Sequence, residues 1–379
     1  MRWPLACGSP QASAAPPIFP LPSAGSPRRV EEDRDNGRPG RLFARRLPHK
    51  RGLTMRVAVI GAGVAGLVTA LELAERGADV ALYEAAPELG VAAASWLAGG
   101  MLAPRCEAES ADPAIVAPGL AGIDWWSRHV PDVACHGTLV LAPWRDRADL
   151  ARFARRTQGH ERLDADRVAA LEPDLAGRFA EGLFFAEEAH LDPRRTLEAL
   201  AERLRERGVA LHFGRRVAPA DLDHDRIIDA RGIAARPELP RLRAVRGEMV
   251  LLRTNEVSLS RPVRLLHPRS PIYVVPRADG LFMVGATMLE SDDDRGINLR
   301  GTVELLNAAY ALHPAFAEAE LVETGAGLRP SYADNLPKVT RNGRVVSLNG
   351  LYRHGFLLSP AMAAEAAAEI FAETLKDAS

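Results

Sequence analysis

From residue 56 onward the chain alternates between short apolar runs and amphipathic stretches. Arg56-Val-Ala-Val-Ile60 reads as a strand buried on both faces, because its apolar residues are continuous. A helix follows with Val64, Leu67, Leu71 and Ala74 on one stripe, and Gly77 stops it. A second strand covers Asp79 to Tyr83 and ends at Glu84. Residues 194–207 form an amphipathic helix closed by Gly208, and 227–232 (Ile-Ile-Asp-Ala-Arg-Gly) read as a short buried strand leaving in small residues. Residues 247–253, 272–276 and 281–287 are strands broken by turns such as Ala278-Asp-Gly280. The chain closes on a helical pattern from Ala361 to Lys376, with Ser359 as its expected N-cap and Pro360 at its first position. No internal repeat is visible.

The loop between the first strand and helix is Gly61-Ala-Gly63-Val-Ala-Gly66, a G-x-G-x-x-G in strand–loop–helix–strand–acid context. Gly61 permits the tight turn, Gly63 lets backbone approach a pyrophosphate, and Gly66 lets helix and strand pack closely. The helix N-terminus offers unpaired N–H groups and partial positive charge to phosphates. Glu84, 23 residues after Gly61, stands where a carboxylate accepts from ribose hydroxyls. The acid disfavours a 2′-phosphate, hence NADP; the loop alone leaves NAD and FAD open. A strand at 227–232 suits a return beneath the cofactor, and the loop Gly350 to Leu358 with the last helix suits backbone N–H groups aimed at a flavin edge.

Residues 1–54 are different material. They hold 9 of the 28 prolines and carry a charge of +6, which leaves −7 on residues 55–379. Such a stretch cannot bury enough surface to offset its ordering entropy. It is expected to be a disordered tail or a mis-assigned start, with the true start at Met55; it lacks the apolar core of a secretory signal. The whole chain balances 48 basic against 49 acidic residues, so no global field gathers nucleic acid or an acidic membrane. Cys7, Cys106 and Cys135 are odd in number and show no C-x-x-C pair, so neither a disulfide framework nor a metal site is expected. A reducing cytoplasm is the simplest compartment.

Five stretches then add up to a resemblance. They are Val57 to Gly66 with Glu84; Ala94-Ser-Trp-Leu-Ala-Gly-Gly-Met-Leu-Ala-Pro104; Gly247-Glu248; Tyr273-Val-Val-Pro-Arg277 with Val284-Gly-Ala-Thr-Met288; and Gly327-Leu-Arg-Pro330 with Asn349 to Pro360. In these the sequence resembles the D-amino-acid-oxidase-like family of FAD-dependent amine oxidases, and within it the glycine oxidases of thiamine biosynthesis. The resemblance implies an α/β fold of the glutathione-reductase type, amine oxidase subgroup. A Rossmann-like FAD-binding domain (55–107, 187–239 and 322–379) is interleaved with an antiparallel-sheet substrate domain (108–186 and 240–321). It places non-covalent FAD against Gly61, Gly63, Ala65, Gly66, Glu84, Ser95, Gly100, Met101, Val217, Gly232, Gly355, Phe356 and Leu357. Covalent attachment has no cysteine available after Cys135.

By the same resemblance Arg329 and Arg353 grip a substrate carboxylate, Tyr273 reaches it, and Met288 lines the cavity. A planar guanidinium suits this, since it meets a carboxylate with two parallel hydrogen bonds. The implied reaction passes hydride from the α-carbon of glycine, or of a small amine such as sarcosine, to FAD. It gives the imine, or glyoxylate and ammonia, with oxygen reduced to hydrogen peroxide. Hydride transfer leaves no carbanion, so no acid/base side chain is required. Glu107 and Glu109 read as part of a solvated loop, with contact to a substrate amine as the alternative. The expected partners are the substrate and oxygen, possible further copies of the chain, and a thiazole-synthase enzyme taking the imine. Alternatives are a D-amino-acid or sarcosine oxidase or dehydrogenase of the same fold, a tRNA-modifying relative, which the −7 charge disfavours, and a non-catalytic flavin-binding subunit.

Overall fold

Segments far apart in the chain build one six-stranded sheet. Its order is Lys338–Asn342, Val345–Asn349, Arg226–Asp229, Arg56–Ile60, Asp79–Tyr83, Ala210–His212. Neighbours are parallel except the first pair, a hairpin. Val57, Ala58 and Val59 in the middle are wholly buried, as their unbroken apolar run requires. The computed structural model describes residues 54–267 and 271–372. The proline-rich tail, apart from Thr54, and the expected end of the last helix at Lys376 lie outside the described residues.

Three helices cover this sheet: Val64–Glu75, Pro193–Glu206 and Gly355–Phe371, the first packed against both others. Asp192 caps the second by accepting from Arg194 N at 2.8 Å. The last helix starts at Gly355, ahead of the expected Ser359 cap. Ser359 and Pro360 sit inside it, and Ser359 Oγ donates to Gly355 O at 2.6 Å. Pro360 has no N–H for the carbonyl of Phe356. The indole Nε1 of Trp126 donates to that carbonyl instead, at 2.7 Å, so the helix continues through the proline.

The second sheet has nine strands and is mostly antiparallel. Eight run in the order Leu289–Glu290, Arg243–Arg253, Leu281–Gly285, Ile272–Pro276, Val263–Leu265, Thr138–Leu141, Glu181–Phe185, Glu161–Asp164. Glu320–Ser331 pairs along Arg243–Arg253 as the ninth. The fold class read from the sequence therefore stands. The expected 321/322 boundary falls inside Glu320–Ser331, which pairs with Arg243–Arg253 from one end to the other in the antiparallel sheet. The helix Val116–His129, expected with that sheet, packs against the last helix, and Ile123 and Trp126 belong to the core around the parallel sheet. Among the described residues no helix is long and apolar enough to cross a membrane.

Candidate active site

The glycine loop is tight enough to exclude side chains at two positions. Gly61 has φ 104°, and a Cβ there would stand 2.6 Å from Ala230 O. A Cβ on Gly66 would stand 1.8 Å from Gly61 O. Gly66 therefore serves close packing of helix against loop, and it is the one expected cofactor contact that does not line the cavity. Glu84 braces the loop from the next strand: Oε2 accepts from Ala62 N at 2.7 Å and Oε1 from Ala86 N at 2.8 Å. Each carboxylate oxygen keeps a further lone pair. Ser95 Oγ accepts from Val64 N at 3.3 Å.

A cavity of about 410 Å³ runs from this loop to the antiparallel sheet. Gly61, Gly63, Ala65, Glu84, Ser95, Gly100, Met101, Val217, Gly232, Gly355, Phe356 and Leu357 all line it, and so do Tyr273, Met288, Arg329 and Arg353. The Val64–Glu75 and Gly355–Phe371 helices both begin on it, and neither has a side-chain cap. Ser95 takes the Val64 N–H of the first helix; the remaining N–H groups of the two opening turns are left for an acceptor in the cavity. A long cleft with a glycine cradle, a carboxylate at one side and a second uncapped helix start at the other fits FAD. Arg277, buried, holds the far wall: it donates to Leu191 O at 2.6 Å and Gly99 O at 2.7 Å. Burial lowers its pKa to about 10, so it stays a cation at neutral pH. Cys106 and Cys135 do not line the cavity.

At the antiparallel sheet the chain makes room for two long side chains. The Tyr273 ring lies over Gly99 and Gly285, where a Cβ would approach it to 2.6 and 3.1 Å. Burial raises the pKa of its phenol, against the pull of the Arg329 charge. Arg329 lies across Gly247, where a Cβ would stand 2.1 Å from Nη2. Its Nη1 donates to Thr287 O at 3.1 Å, the one hydrogen bond its guanidinium makes to the described residues. Most of its donor fork faces the cavity without a protein partner.

Arg353 is engaged on every side. Its Nε stands 2.5 Å from Glu107 Oε2, Nη2 donates to Ser110 Oγ at 2.6 Å, and Nη1 is 3.6 Å from Met288 Sδ. Met288 is half exposed at the cavity mouth, with Tyr352 Oη 3.2 Å from its sulfur. Glu107 is not on a solvated loop. It ends the short helix Pro104–Glu107, lines the cavity, and also accepts from Arg264 Nη1 at 3.2 Å. Burial alone raises the Glu107 pKa, but the charges of Arg353, Arg264 and His354 outweigh it and bring it to about 2. His354 is buried, which lowers its pKa to about 4. Neither group is poised near neutrality to remove a proton. Arg264 was not anticipated; its register opposite Tyr273 on the neighbouring strand is the feature that brings it to the cavity.

Behind Glu107 lies Glu188, wholly buried, with Oε1 accepting from Cys106 N at 2.8 Å. Burial pushes its pKa from 4.5 up to about 7. Between those values the folded protein holds a proton that the unfolded chain releases, so stability falls as pH rises through that window. Glu188→Gln should flatten this slope. Urea titrations are expected to show the variant ahead of wild type by up to about 3 kcal/mol at pH 8, with the gap closing near pH 4.5.

Taken together, a dinucleotide cradle, a second uncapped helix start and a cation beneath a covering sheet define an FAD-binding oxidoreductase of the two-sheet Rossmann type. Comparison with known proteins agrees: residues 56–369 match the family described as FAD dependent oxidoreductase, and the chain belongs to it. The enzyme uses FAD. Over 320 residues it is 57% identical to the ThiO protein of Rhizobium etli, assigned as a thiamine biosynthesis oxidoreductase, covering 84% of this chain and 97% of that one. It is 27% identical over 358 residues to glycine oxidase of Pseudomonas aeruginosa, covering 82% and 93%. The crystal structure of glycine oxidase from Geobacillus kaustophilus superposes with a TM-score of 0.71 at 24% identity, over 84% of this chain and 95% of that one, a likeness of fold.

Proposed function

We propose that the enzyme oxidises glycine at its α-carbon, with Arg329 binding the carboxylate. The observation that carries this is the Arg329 guanidinium, laid across Gly247 in the FAD cavity with a single protein hydrogen bond. When bound, FAD accepts a hydride. The protein's part is alignment: Arg329 fixes the acid end of the substrate, and Tyr273, seated over Gly99 and Gly285, closes the space beside it. Arg353, already paired with Glu107, contributes positive potential and shape to this end of the cavity rather than a free fork. With pKa values of about 2 and 4, Glu107 and His354 are weak bases for an α-proton, in keeping with hydride loss from a neutral amine.

The products on this reading are the imine, or glyoxylate and ammonia after hydrolysis, and hydrogen peroxide from oxygen. The likeness to ThiO supports release of the imine to a thiazole-forming partner. FAD is held non-covalently by Gly61, Gly63, Glu84 and the start of the last helix. The test is a panel of glycine, sarcosine, D-alanine and D-proline, read as oxygen uptake and peroxide. Glycine is expected to rank first by kcat/KM. Yellow protein that no small amine bleaches anaerobically would favour a non-catalytic flavin subunit and overturn the proposal.

A further inference from the structure

Arg329 has one protein anchor, so whatever holds that anchor sets where the guanidinium points. The anchor is the carbonyl of Thr287. Thr287 is in turn bound three ways to one residue: its N–H donates to Glu248 O at 3.2 Å, its Oγ1 accepts from Glu248 N at 2.9 Å, and Oγ1 lies 3.1 Å from Glu248 Oε2 as donor. Glu248 is itself immobilised. Its Oε1 accepts from Arg246 Nε at 3.1 Å and Nη2 at 2.9 Å, and both side chains are buried. Arg246 donates further to the carbonyls of Asp293, Arg295 and Gly296, at 2.6 to 2.7 Å. A Cβ on Gly301 would stand 2.0 Å from Glu248 Oε2, so the helix Leu299–Leu312 closes over the carboxylate.

Strand alternation explains the layout. Arg246 and Glu248 point to one face of Arg243–Arg253, and Gly247 between them opens the other face to Arg329. A buried ion pair is weak evidence of stabilisation in itself, because desolvation opposes the attraction. Here Arg246 ties the pair to the 293–296 loop, while Glu248 accepts from the Thr287 hydroxyl and its backbone holds the Thr287 residue whose carbonyl anchors Arg329.

We propose that the Arg246–Glu248 pair is a positioning device for the reaction, acting through Thr287 to fix the donor fork of Arg329. This rests on Arg329 being the carboxylate's partner. Glu248 variants leave the Arg246 charge buried and unpaired and risk misfolding, so Thr287 is the place to test it. Thr287→Val keeps the volume and removes the hydroxyl; Thr287→Ser keeps the hydroxyl. Holoenzyme is titrated with acetate, read as the change in the flavin visible spectrum, and with glycine by steady-state kinetics. Thr287→Val is expected to raise the acetate Kd and the glycine KM in parallel by about tenfold, with kcat within about twofold, FAD retained and Thr287→Ser close to wild type. A merely structural role would lower Tm or FAD retention and leave acetate binding in place. If wild type binds acetate and Thr287→Val binds it equally well, or if Thr287→Ser fails as Thr287→Val does, the positioning role is overturned. If wild type binds neither acetate nor glycine, the reading of Arg329 falls and the positioning role with it.

Discussion

Arg329→Met is expected to raise the KM for glycine by about a hundredfold while FAD stays bound, since two charge-assisted hydrogen bonds to the carboxylate are lost. Methionine roughly preserves the stem and removes the fork, so the change isolates the donors. FAD should remain because the guanidinium's contacts are Gly247 and Thr287, neither in the glycine loop. Arg353 cannot substitute. Freeing its Nε would leave the largely buried Glu107 carboxylate with Arg264 as its remaining guanidinium partner among the described residues, and its Nη2 is already given to Ser110. The measurement is steady-state kinetics on protein whose flavin content is first checked by absorbance. Unchanged kinetics would remove Arg329 from the site.

The second large effect is expected at the other end of the cavity. Glu84→Ala should weaken FAD binding by roughly tenfold or more, because it leaves the backbone N–H groups of Ala62 and Ala86 without their acceptor beside the glycine loop. Ala62 is buried, so its N–H has no easy route to water. Deflavinated protein titrated with FAD gives the affinity. The FAD-loaded fraction should keep nearly the wild-type kcat, since Glu84 braces the phosphate loop and touches nothing near Arg329. Loss of turnover at full loading would show that the loop also sets the position of the reacting ring.

Residues carried by a local motif were legible even where distant segments bring them together, as Arg329 and Arg353 show; residues placed by tertiary contacts alone were not. The glycine loop, its flanking strands and Glu84 lie within 30 residues, and each has a local reason to be there. Pro360 misled because the rule for proline at a helix start is also local, whereas the donor that lets the helix begin earlier comes from Trp126. Glu107 misled in the same way. With Glu109 it read as solvated, and the charges that draw it inward, Arg264 and Arg353, arrive from other elements. Arg264 has no flanking motif; only the pairing of Val263–Leu265 with Ile272–Pro276 sets it beside Tyr273. The strand Glu320–Ser331 straddles the expected 321/322 boundary, and its pairing with Arg243–Arg253 sets Arg329 opposite Val245, a register no local pattern announces.

The indole-to-carbonyl bond between Trp126 and Phe356 spans 230 positions of sequence. Its acceptor sits in the opening turn of the helix whose free N–H groups face the cleft. That turn therefore has no complete set of partners until Val116–His129 has docked, however early the rest of the helix forms. The electropositive rim that this helix start turns to the cleft is a product of tertiary assembly, beyond the reach of the isolated C-terminal peptide.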